Sequence, residues 1–179
     1  MKKVLLSLTL LLAVVLGAKA QSFQGGSNTI GLSVGINNTL WDNHNHMLVP
    51  PFTVSYDHGI VGSLFDGRGA IGLGGLVSVY GFRDDAHRDW AALLLGPRGT
   101  LHYSFVDKLD TYVALMLGYS YVGTSGATVN GSSYGQTSTS KFGWGANVGL
   151  RYYIAPAWAL SFEAGYGLSN FNFGFTYDF

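Results

Sequence analysis

The feature that most constrains this 179-residue chain is an alternation of apolar and small polar residues that recurs in eight segments. A repeat of two residues is typical of β-strands whose two faces meet different surroundings. In the fifth segment, for example, Val113, Leu115 and Leu117 share one face. We therefore predict eight strands, over residues 30–36, 52–56, 71–79, 91–105, 113–121, 142–152, 160–168 and 171–179.

Residues 1–20 have the pattern of a secretory signal peptide. A pair of lysines precedes an apolar run over residues 4–16, and Ala18 and Ala20 are the small residues that a signal peptidase recognises. The alternative, a transmembrane anchor, needs about 20 apolar residues, and this run is shorter. We predict cleavage after Ala20, which leaves residues 21–179 as one domain.

The charge balance restricts the classes of partner. The chain has 10 Lys+Arg and 10 Asp+Glu, and it has no cysteine. Cleavage removes Lys2, Lys3 and Lys19 but no acid, so the mature chain carries a net charge of −3. Nucleic-acid binding depends on clustered basic residues, so we expect no such partner. Without cysteine there is no disulfide and no thiolate metal site.

The composition of the two faces indicates which one is outside. A soluble sandwich or lipocalin-like barrel would bury its apolar face and expose a surface rich in Lys and Glu. Here the other face consists of Gly, Ser, Thr and Asn, and its only charges far from strand ends are Arg98, Arg151 and Glu163. Small residues suit a narrow barrel interior. We therefore expect the apolar face to contact lipid and the polar face to line the lumen.

The placement of aromatic residues leads to the same fold. They concentrate near the ends of the segments while Leu, Val and Ala occupy the middles, as two membrane interfaces require. Segments of about 9–11 residues match a tilted strand that crosses a bilayer. An open sheet edge in lipid would leave backbone groups unpaired, so the sheet must close. The predicted fold is all-β, an eight-stranded antiparallel up-and-down transmembrane β-barrel.

Long polar connections alternate with short ones, as they do in an up-and-down barrel. We expect the Ser-, Thr- and Gly-rich residues 123–140 to form a mobile loop. Pro50 and Pro51 should mark the top of the second strand, because proline cannot donate to a sheet. Residues 57–69 form a connection that is long for the tight end of such a barrel.

The C-terminus resembles the insertion signal of outer-membrane barrels, with Asn172, Gly174, Tyr177 and Phe179 at the characteristic positions. Together with the signal peptide, the chain is similar to the small OmpA- and OmpX-like eight-stranded barrels, and more narrowly to the "outer membrane beta-barrel" proteins of Bacteroidota. The resemblance implies a cell outer-membrane location, contact with outer-membrane lipid and lipopolysaccharide, and insertion by the barrel-assembly machinery. It implies little about activity, because the family has structural, adhesive and enzymatic members.

Three charged residues on the predicted lumen face form the first candidate site. Arg151 and Glu163 lie on neighbouring strands, so we expect them to pair, with Arg98 reaching them across the narrow interior. We favour a structural ion-pair network, because an unpaired charge at low dielectric is costly. The alternative is a polar or proton pathway through the barrel.

His102 and Ser104 form the second candidate, since barrel lipid A deacylases carry His and Ser two residues apart on one strand. In those enzymes the pair faces lipid near the outer end of the barrel. Here the strand direction and the alternation place both residues inside, near the periplasmic end. No acid is placed beside them, so we predict no catalytic site.

Two connections contain residues that could bind ions. His44 and His46 are too few for a zinc site, which usually takes three protein ligands, so we predict no metal and no cofactor. Residues 83–90 mix both signs of charge and could contact lipopolysaccharide phosphates or cations, although such a run is usually a solvated face.

The function predicted from these features is structural, adhesive or surface-recognising, carried out by a monomer that is neither an enzyme nor a wide pore. Side chains just fill the interior of an eight-stranded barrel. A lipid-modifying enzyme and a narrow solute or ion pore are the alternatives. A lipid-facing catalytic constellation would favour the enzyme, and a lumen continuous past Arg98 and Arg151 would favour the pore.

Overall fold

A computed structural model describes residues 23–38, 46–85, 87–124, 127–129, 132–134 and 137–179. The predicted signal peptide and His44 lie outside these residues. In the described part of the chain, no helix is long and apolar enough to span a membrane. The strands are β1 (Asn28–Asn38), β2 (His46–Leu64), β3 (Gly69–Arg83), β4 (Asp89–Val106), β5 (Leu109–Thr124), β6 (Ala127–Val129), β7 (Ser132–Tyr134), β8 (Thr137–Ala155), β9 (Trp158–Tyr166) and β10 (Ser169–Asp178).

Eight of these strands close into one antiparallel barrel in the order β1-β10-β9-β8-β5-β4-β3-β2. The predicted eight-stranded barrel is therefore confirmed. We call the end at which β1 begins and β10 ends the turn end, because the β2–β3, β4–β5 and β8–β9 connections there are short. The opposite end is the loop end. There β6 and β7 form a separate hairpin within the predicted connection over residues 123–140, which β5 enters up to Thr124 and β8 leaves from Thr137.

Alternation sorts the side chains between the outside and the inside of the barrel. On β5, Leu115 and Leu117 point outward and are 62% and 66% exposed, whereas Ala114 and Met116 are buried inside. The same pattern holds around the barrel, so the exterior is apolar over its circumference. A soluble barrel with a buried apolar face is therefore excluded, because an exterior of this kind requires hydrocarbon around it.

Aromatic side chains are not restricted to the strand ends. On β10 the outward residues Phe171, Phe173, Phe175 and Tyr177 form a continuous column, and Phe162 of β9 packs against Phe173 with ring centroids 4.9 Å apart. The expectation that aliphatic residues occupy all strand middles is therefore wrong for this part of the wall. Hydrocarbon accepts aromatic rings at any depth, so the alternation alone does not fix their height.

The lumen has two layers of different chemistry. Toward the loop end it is filled by apolar side chains, whereas toward the turn end it holds charged groups. The expectation of a uniformly small and polar lumen is therefore wrong for the loop-end half. The apolar cluster consists of Tyr80, Phe82, Ala92, Leu94, Met116, Val122 and Leu168, with Leu76 and Trp90 packed against it.

The barrel wall is taller on one side than on the other. β1, β9 and β10 have 11, 9 and 10 residues, whereas β2 and β8 have 19 each. The first part of the predicted long connection over residues 57–69 belongs to β2, since the strand continues to Leu64. Pro50 and Pro51 lie inside β2 at a register irregularity between Val49 and Phe52, so they do not mark its end.

Gly74 is a point at which neighbouring strands approach closely. It lies opposite Asp57 of β2 and Arg98 of β4, and a Cβ there would overlap the carbonyl oxygen of Tyr56. A backbone atom cannot move aside without shifting the strand. The site therefore requires glycine.

We predict that Gly74→Ala lowers the free energy of unfolding by about 1–3 kcal/mol, because the strand must shift to accommodate the methyl group. Denaturant unfolding in lipid vesicles measures the change. Gly99→Ala is the matched control, since a Cβ there has no atom within 4 Å, and its effect should stay within about 0.5 kcal/mol. Equal effects of the two substitutions would contradict the prediction.

Candidate functional site

The lumen holds a network of buried ion pairs centred on Asp57. Arg151 Nη2 lies 2.6 Å from Asp57 Oδ2, and Arg98 Nε lies 3.2 Å from Asp57 Oδ1. Arg98 Nη2 also lies 2.7 Å from Glu163 Oε1. The Asp57, Arg98 and Arg151 side chains are at most 4% exposed. Two cations and two anions thus neutralise each other inside the barrel, as burial requires.

The strand register explains how these residues meet. Asp57, Gly74 and Arg98 lie in one row across β2, β3 and β4. Because Gly74 has no side chain, the Arg98 guanidinium reaches Asp57 across the intervening strand. Arg151, expected to pair with Glu163, instead pairs with Asp57, which lies on the far side of the lumen in β2.

Tyr112 is part of the same network. Its hydroxyl donates a hydrogen bond of 2.7 Å to Glu163 Oε1, and its ring lies 4.8 Å from the Arg151 guanidinium and 5.5 Å from that of Arg98. A ring between two guanidiniums gains cation–π attraction to both. Sequence reasoning missed Tyr112 and Asp57. Asp57 is the last polar-face residue of the second segment, so the sequence predicts a strand-end charge there and not one deep in the lumen.

His102 and Ser104 lie inside the barrel near the turn end, at the height and on the face predicted from the alternation. His102 Nδ1 is 2.8 Å from Asp110 Oδ2, and His102 Nε2 is 2.9 Å from Thr100 Oγ1. The Thr100 hydroxyl, the His102 imidazole and the Asp110 carboxylate therefore form a chain of hydrogen bonds. The sequence did not predict this chain. Ser104 is not the hydroxyl involved.

The segment before β1 covers this cluster. Phe23 is fully buried, and its ring stacks on His102 with centroids 4.0 Å apart. Backbone hydrogen bonds hold the segment across the turn end, since Gly26 N donates to Gly59 O at 2.8 Å and Gly59 N donates to Ser27 O at 2.9 Å. The Phe23 ring thus covers the imidazole, and the Thr100 side chain beside it is buried as well.

The space left inside the barrel is small. Between the charged network and the apolar cluster lies a cavity of about 30 Å³, bounded by Arg98, Arg151 and Glu163 on one side and by Met116 and Leu168 on the other. A cavity of this size holds about one or two water molecules. The buried side chains of Arg98 and Arg151 thus fill the described lumen at this level and leave a small cavity beside them.

The residues of the C-terminal motif divide between the two faces of β10. Asn172 points into the lumen and is 6% exposed, and Gly174 lies opposite Ser33 of β1. Tyr177 and Phe179 are exposed on the outside at the turn end, 39% and 62% respectively. The barrel exterior at this end therefore presents the two aromatic rings of the motif.

The structure gives no metal centre among the residues that it describes, since no three His, Cys, Asp or Glu side chains are grouped there. His46 begins β2 and is exposed, while His44 is outside the described ranges.

At the loop end, the connection between β3 and β4 is organised around Asp84. This carboxylate accepts hydrogen bonds from the Arg88 amide at 2.9 Å, the Arg88 guanidinium at 2.7 Å and the Trp90 indole at 3.0 Å. Burial alone would raise the pKa of Asp84, but these hydrogen bonds and the charge of Arg88 outweigh it and lower the pKa below the ordinary value of 3.8. Asp84 and Arg88, of opposite charge, thus pair with each other within this connection.

We predict that Asp57→Asn lowers the free energy of unfolding by about 3–5 kcal/mol, because it leaves two buried guanidiniums with one carboxylate. Denaturant unfolding in vesicles measures this. Asp66→Asn is the control, since Asp66 is 54% exposed and 3.8 Å from Arg68, and its loss should cost less than about 1 kcal/mol. A cost for Asp57→Asn no larger than that of the control would show that the network does not stabilise the barrel.

The depressed pKa of Asp84 predicts an acid transition of the β3–β4 connection. The stabilisation is complete at neutral pH and is lost as the pH falls through the folded-state pKa, below 3.8. Tryptophan fluorescence should change in that range because protonation weakens the bond from Trp90. The change should be absent from Asp84→Asn and from Trp90→Phe, and its persistence in either variant would refute the assignment.

Comparison with known proteins agrees with the barrel. No protein-family model and no curated protein sequence matches the chain. Among solved structures, the N-terminal β-barrel domain of Pseudomonas aeruginosa OprF aligns over 88% of this chain and 100% of that one, with 16% identity and a TM-score of 0.54. Ail, the attachment invasion locus protein of Yersinia pestis, solved with the heparin analogue sucrose octasulfate, aligns over 87% and 99%, with 16% identity and a TM-score of 0.52.

The outer membrane protein OprG of Pseudomonas aeruginosa gives a third match, over 89% of this chain and 99% of that one, with 9% identity and a TM-score of 0.54. Identities this low establish the fold and nothing finer. The chain therefore has the architecture of the small eight-stranded outer-membrane β-barrels.

Proposed function

We propose that this protein is an integral barrel of the cell outer membrane that does not conduct solutes and that presents its loop end for structural or adhesive contacts. The observation that carries the proposal is the combination of an apolar exterior and a lumen filled by side chains. The exterior requires a membrane, whereas the lumen is blocked by the Asp57 network and by the apolar cluster around Leu94.

The two alternatives have less support. A pore needs a passage, whereas buried Arg98 and Arg151 occupy the lumen and the cavity beside them has a volume of about 30 Å³. A lipid-modifying enzyme of the deacylase type needs its histidine and nucleophile on the lipid face, whereas His102 and Thr100 are 1% and 3% exposed inside the barrel beneath Phe23. A role in contacts, and not in chemistry or transport, remains the best supported. The name of Ail, an attachment invasion protein, is in keeping with such a role for this fold.

The proposed route to the membrane uses both chain termini. Export depends on cleavage of residues 1–20, and insertion depends on the barrel-assembly machinery, which would engage Asn172, Gly174, Tyr177 and Phe179. In the membrane the barrel is a monomer surrounded by outer-membrane lipid and lipopolysaccharide, with its turn end in the periplasm. The outward position of Tyr177 and Phe179 favours their recognition before the barrel is fully inserted.

We predict that the protein fractionates with the outer membrane and migrates faster on a gel when unboiled than when boiled, because the closed barrel resists detergent. In planar bilayers the mature protein should give no stepwise conductance. Recovery from the soluble periplasm, or identical mobility with and without boiling, would reject the membrane assignment. Steady single-channel conductance with an intact fold would favour the pore instead.

A further inference from the structure

A groove with a volume of about 400 Å³ lies on the outer face of the barrel wall, near the middle of β4. Large apolar side chains form its sides, whereas its floor contains Pro97 and Gly99, which have little or no side chain. The residues along the groove are Leu73, Pro97, Gly99, Leu115, Leu117 and Trp144. In a bilayer this part of the wall is surrounded by hydrocarbon, so acyl chains are the molecules at hand to fill it.

Pro97 interrupts the hydrogen bonding between β4 and β5 at the floor of this groove. The pairing of β4 with β5 runs to Leu95 and resumes at Arg98, with Pro97 opposite Leu117 in the gap. Two residues that face each other in a hydrogen-bonded pair exchange both bonds, but proline has no N–H to give. The pairing of Pro97 with β3 is continuous, so the missing bond is the one to β5. Within the residues that the structure describes, the carbonyl oxygen of Leu117 therefore lacks its N–H from β4.

The Leu117 carbonyl indicates what kind of molecule the groove would select. Its oxygen lies against the backbone of Gly96, where a Cβ would overlap it, and a C–H group is only a weak hydrogen-bond donor. A backbone acceptor without a donor is unfavourable in hydrocarbon. The groove borders both Pro97 and Leu117, so a molecule within it can approach the oxygen. A hydroxyl group on that molecule would supply the missing hydrogen bond.

We propose that this groove binds one acyl chain of a membrane lipid and prefers a chain that carries a hydroxyl group. The hydroxyl group donates a hydrogen bond to the carbonyl oxygen of Leu117, while the methylene groups on either side pack against Leu73 and Leu115. Lipid is the occupant that the proposed membrane location supplies, since the groove opens outward from the wall. The site rests on that location and adds the class of lipid that the wall selects.

The test uses the full mature protein in lipid nanodiscs, with Trp41→Phe, Trp90→Phe and Trp158→Phe so that Trp144 beside the groove is the only tryptophan. A phosphatidylcholine with a brominated acyl chain quenches its fluorescence on contact. Two competitors replace part of this lipid, a phosphatidylcholine with a hydroxyl group halfway along one chain and the same lipid without it. The hydroxylated lipid should relieve the quenching at a mole fraction at least about threefold lower. Equal relief by both lipids would overturn the proposal.

Pro97→Ala tests the role of the missing N–H. The variant has an N–H opposite Leu117, so the carbonyl oxygen gains its partner within the sheet and the preference for the hydroxylated lipid should disappear. Slow hydrogen exchange of the new amide at position 97 reports that the bond to β5 has formed. A preference that persists while this amide is protected would show that the hydroxyl group does not bind the oxygen. Fast exchange of this amide would contradict the inferred gap in the pairing.

Gly99→Leu tests the groove itself. A Cβ at Gly99 has no atom of the described chain within 4 Å, so the leucine side chain can occupy the groove without displacing the wall. Both lipids should then relieve the quenching only in proportion to their mole fractions. Ala91→Leu is the matched control, since Ala91 is also exposed on β4 but does not line this groove, and it should keep the preference. The same response from both variants would reject the site.

One further outcome concerns a protein occupant. If the brominated lipid alone does not quench Trp144, protein covers the groove, and a second copy of the chain replaces lipid as the occupant. The heat-modifiable mobility remains an independent test of the barrel assignment, so failure of the quenching experiment alone leaves that assignment intact.

Discussion

Backbone hydrogen bonding in a medium without water is the constraint on which the rest of this structure depends. Each unpaired N–H or C=O in hydrocarbon costs several kcal/mol, so the sheet must meet itself. Closure is made by β1 and β10, which pair from Thr29 with Asp178 to Asn38 with Ser169. Once the sheet is closed, every second side chain must enter a lumen of fixed width. The chemistry of the interior follows from that requirement.

The side chains that enter the lumen fill it in two ways. In the loop-end half, apolar side chains such as Leu94 and Met116 pack together as they would in a soluble core. In the turn-end half, Asp57 joins Arg98 and Arg151, so that no charge stands alone at low dielectric. Phe23 then separates this half from the solvent at the turn end. Both halves of the lumen are therefore filled with side chains.

In the described part of the chain, strands are paired on one side only where the wall is uneven. The short strands β9, β10 and β1 stop pairing below the ends of β8 and β2, so the tall part of the sheet has edges that a uniform barrel would lack. Pro50 and Pro51 protect one of them. The other carries hydroxyl residues, Lys141 and an uncovered Phe142. The two edges of the sheet thus differ in the residues along each strand.

The strand segments could be predicted because alternation is visible in the sequence, but their ends could not. β2 continues to Leu64, well past the predicted end at Tyr56, because hydrogen bonds to β3 extend the strand where its alternation is weak. For this reason the sequence predicts Asp57 as a strand-end residue and not as a charge deep in the lumen. The hairpin of β6 and β7 was missed because each of its strands has only three residues, too few to show an alternation.

The sequence by itself determined which face of each strand a residue occupies, because successive side chains of any strand point in opposite directions. It therefore placed Arg98, Arg151, His102 and Ser104 inside before any partner was known. Only the tertiary structure decided which of these residues meet. Contacts across the lumen depend on the stagger of eight strands. They also depend on positions without a side chain, as at Gly74, where Arg98 reaches Asp57 across the strand. Those relations involve the whole closed sheet, whereas the alternation is a property of a single strand.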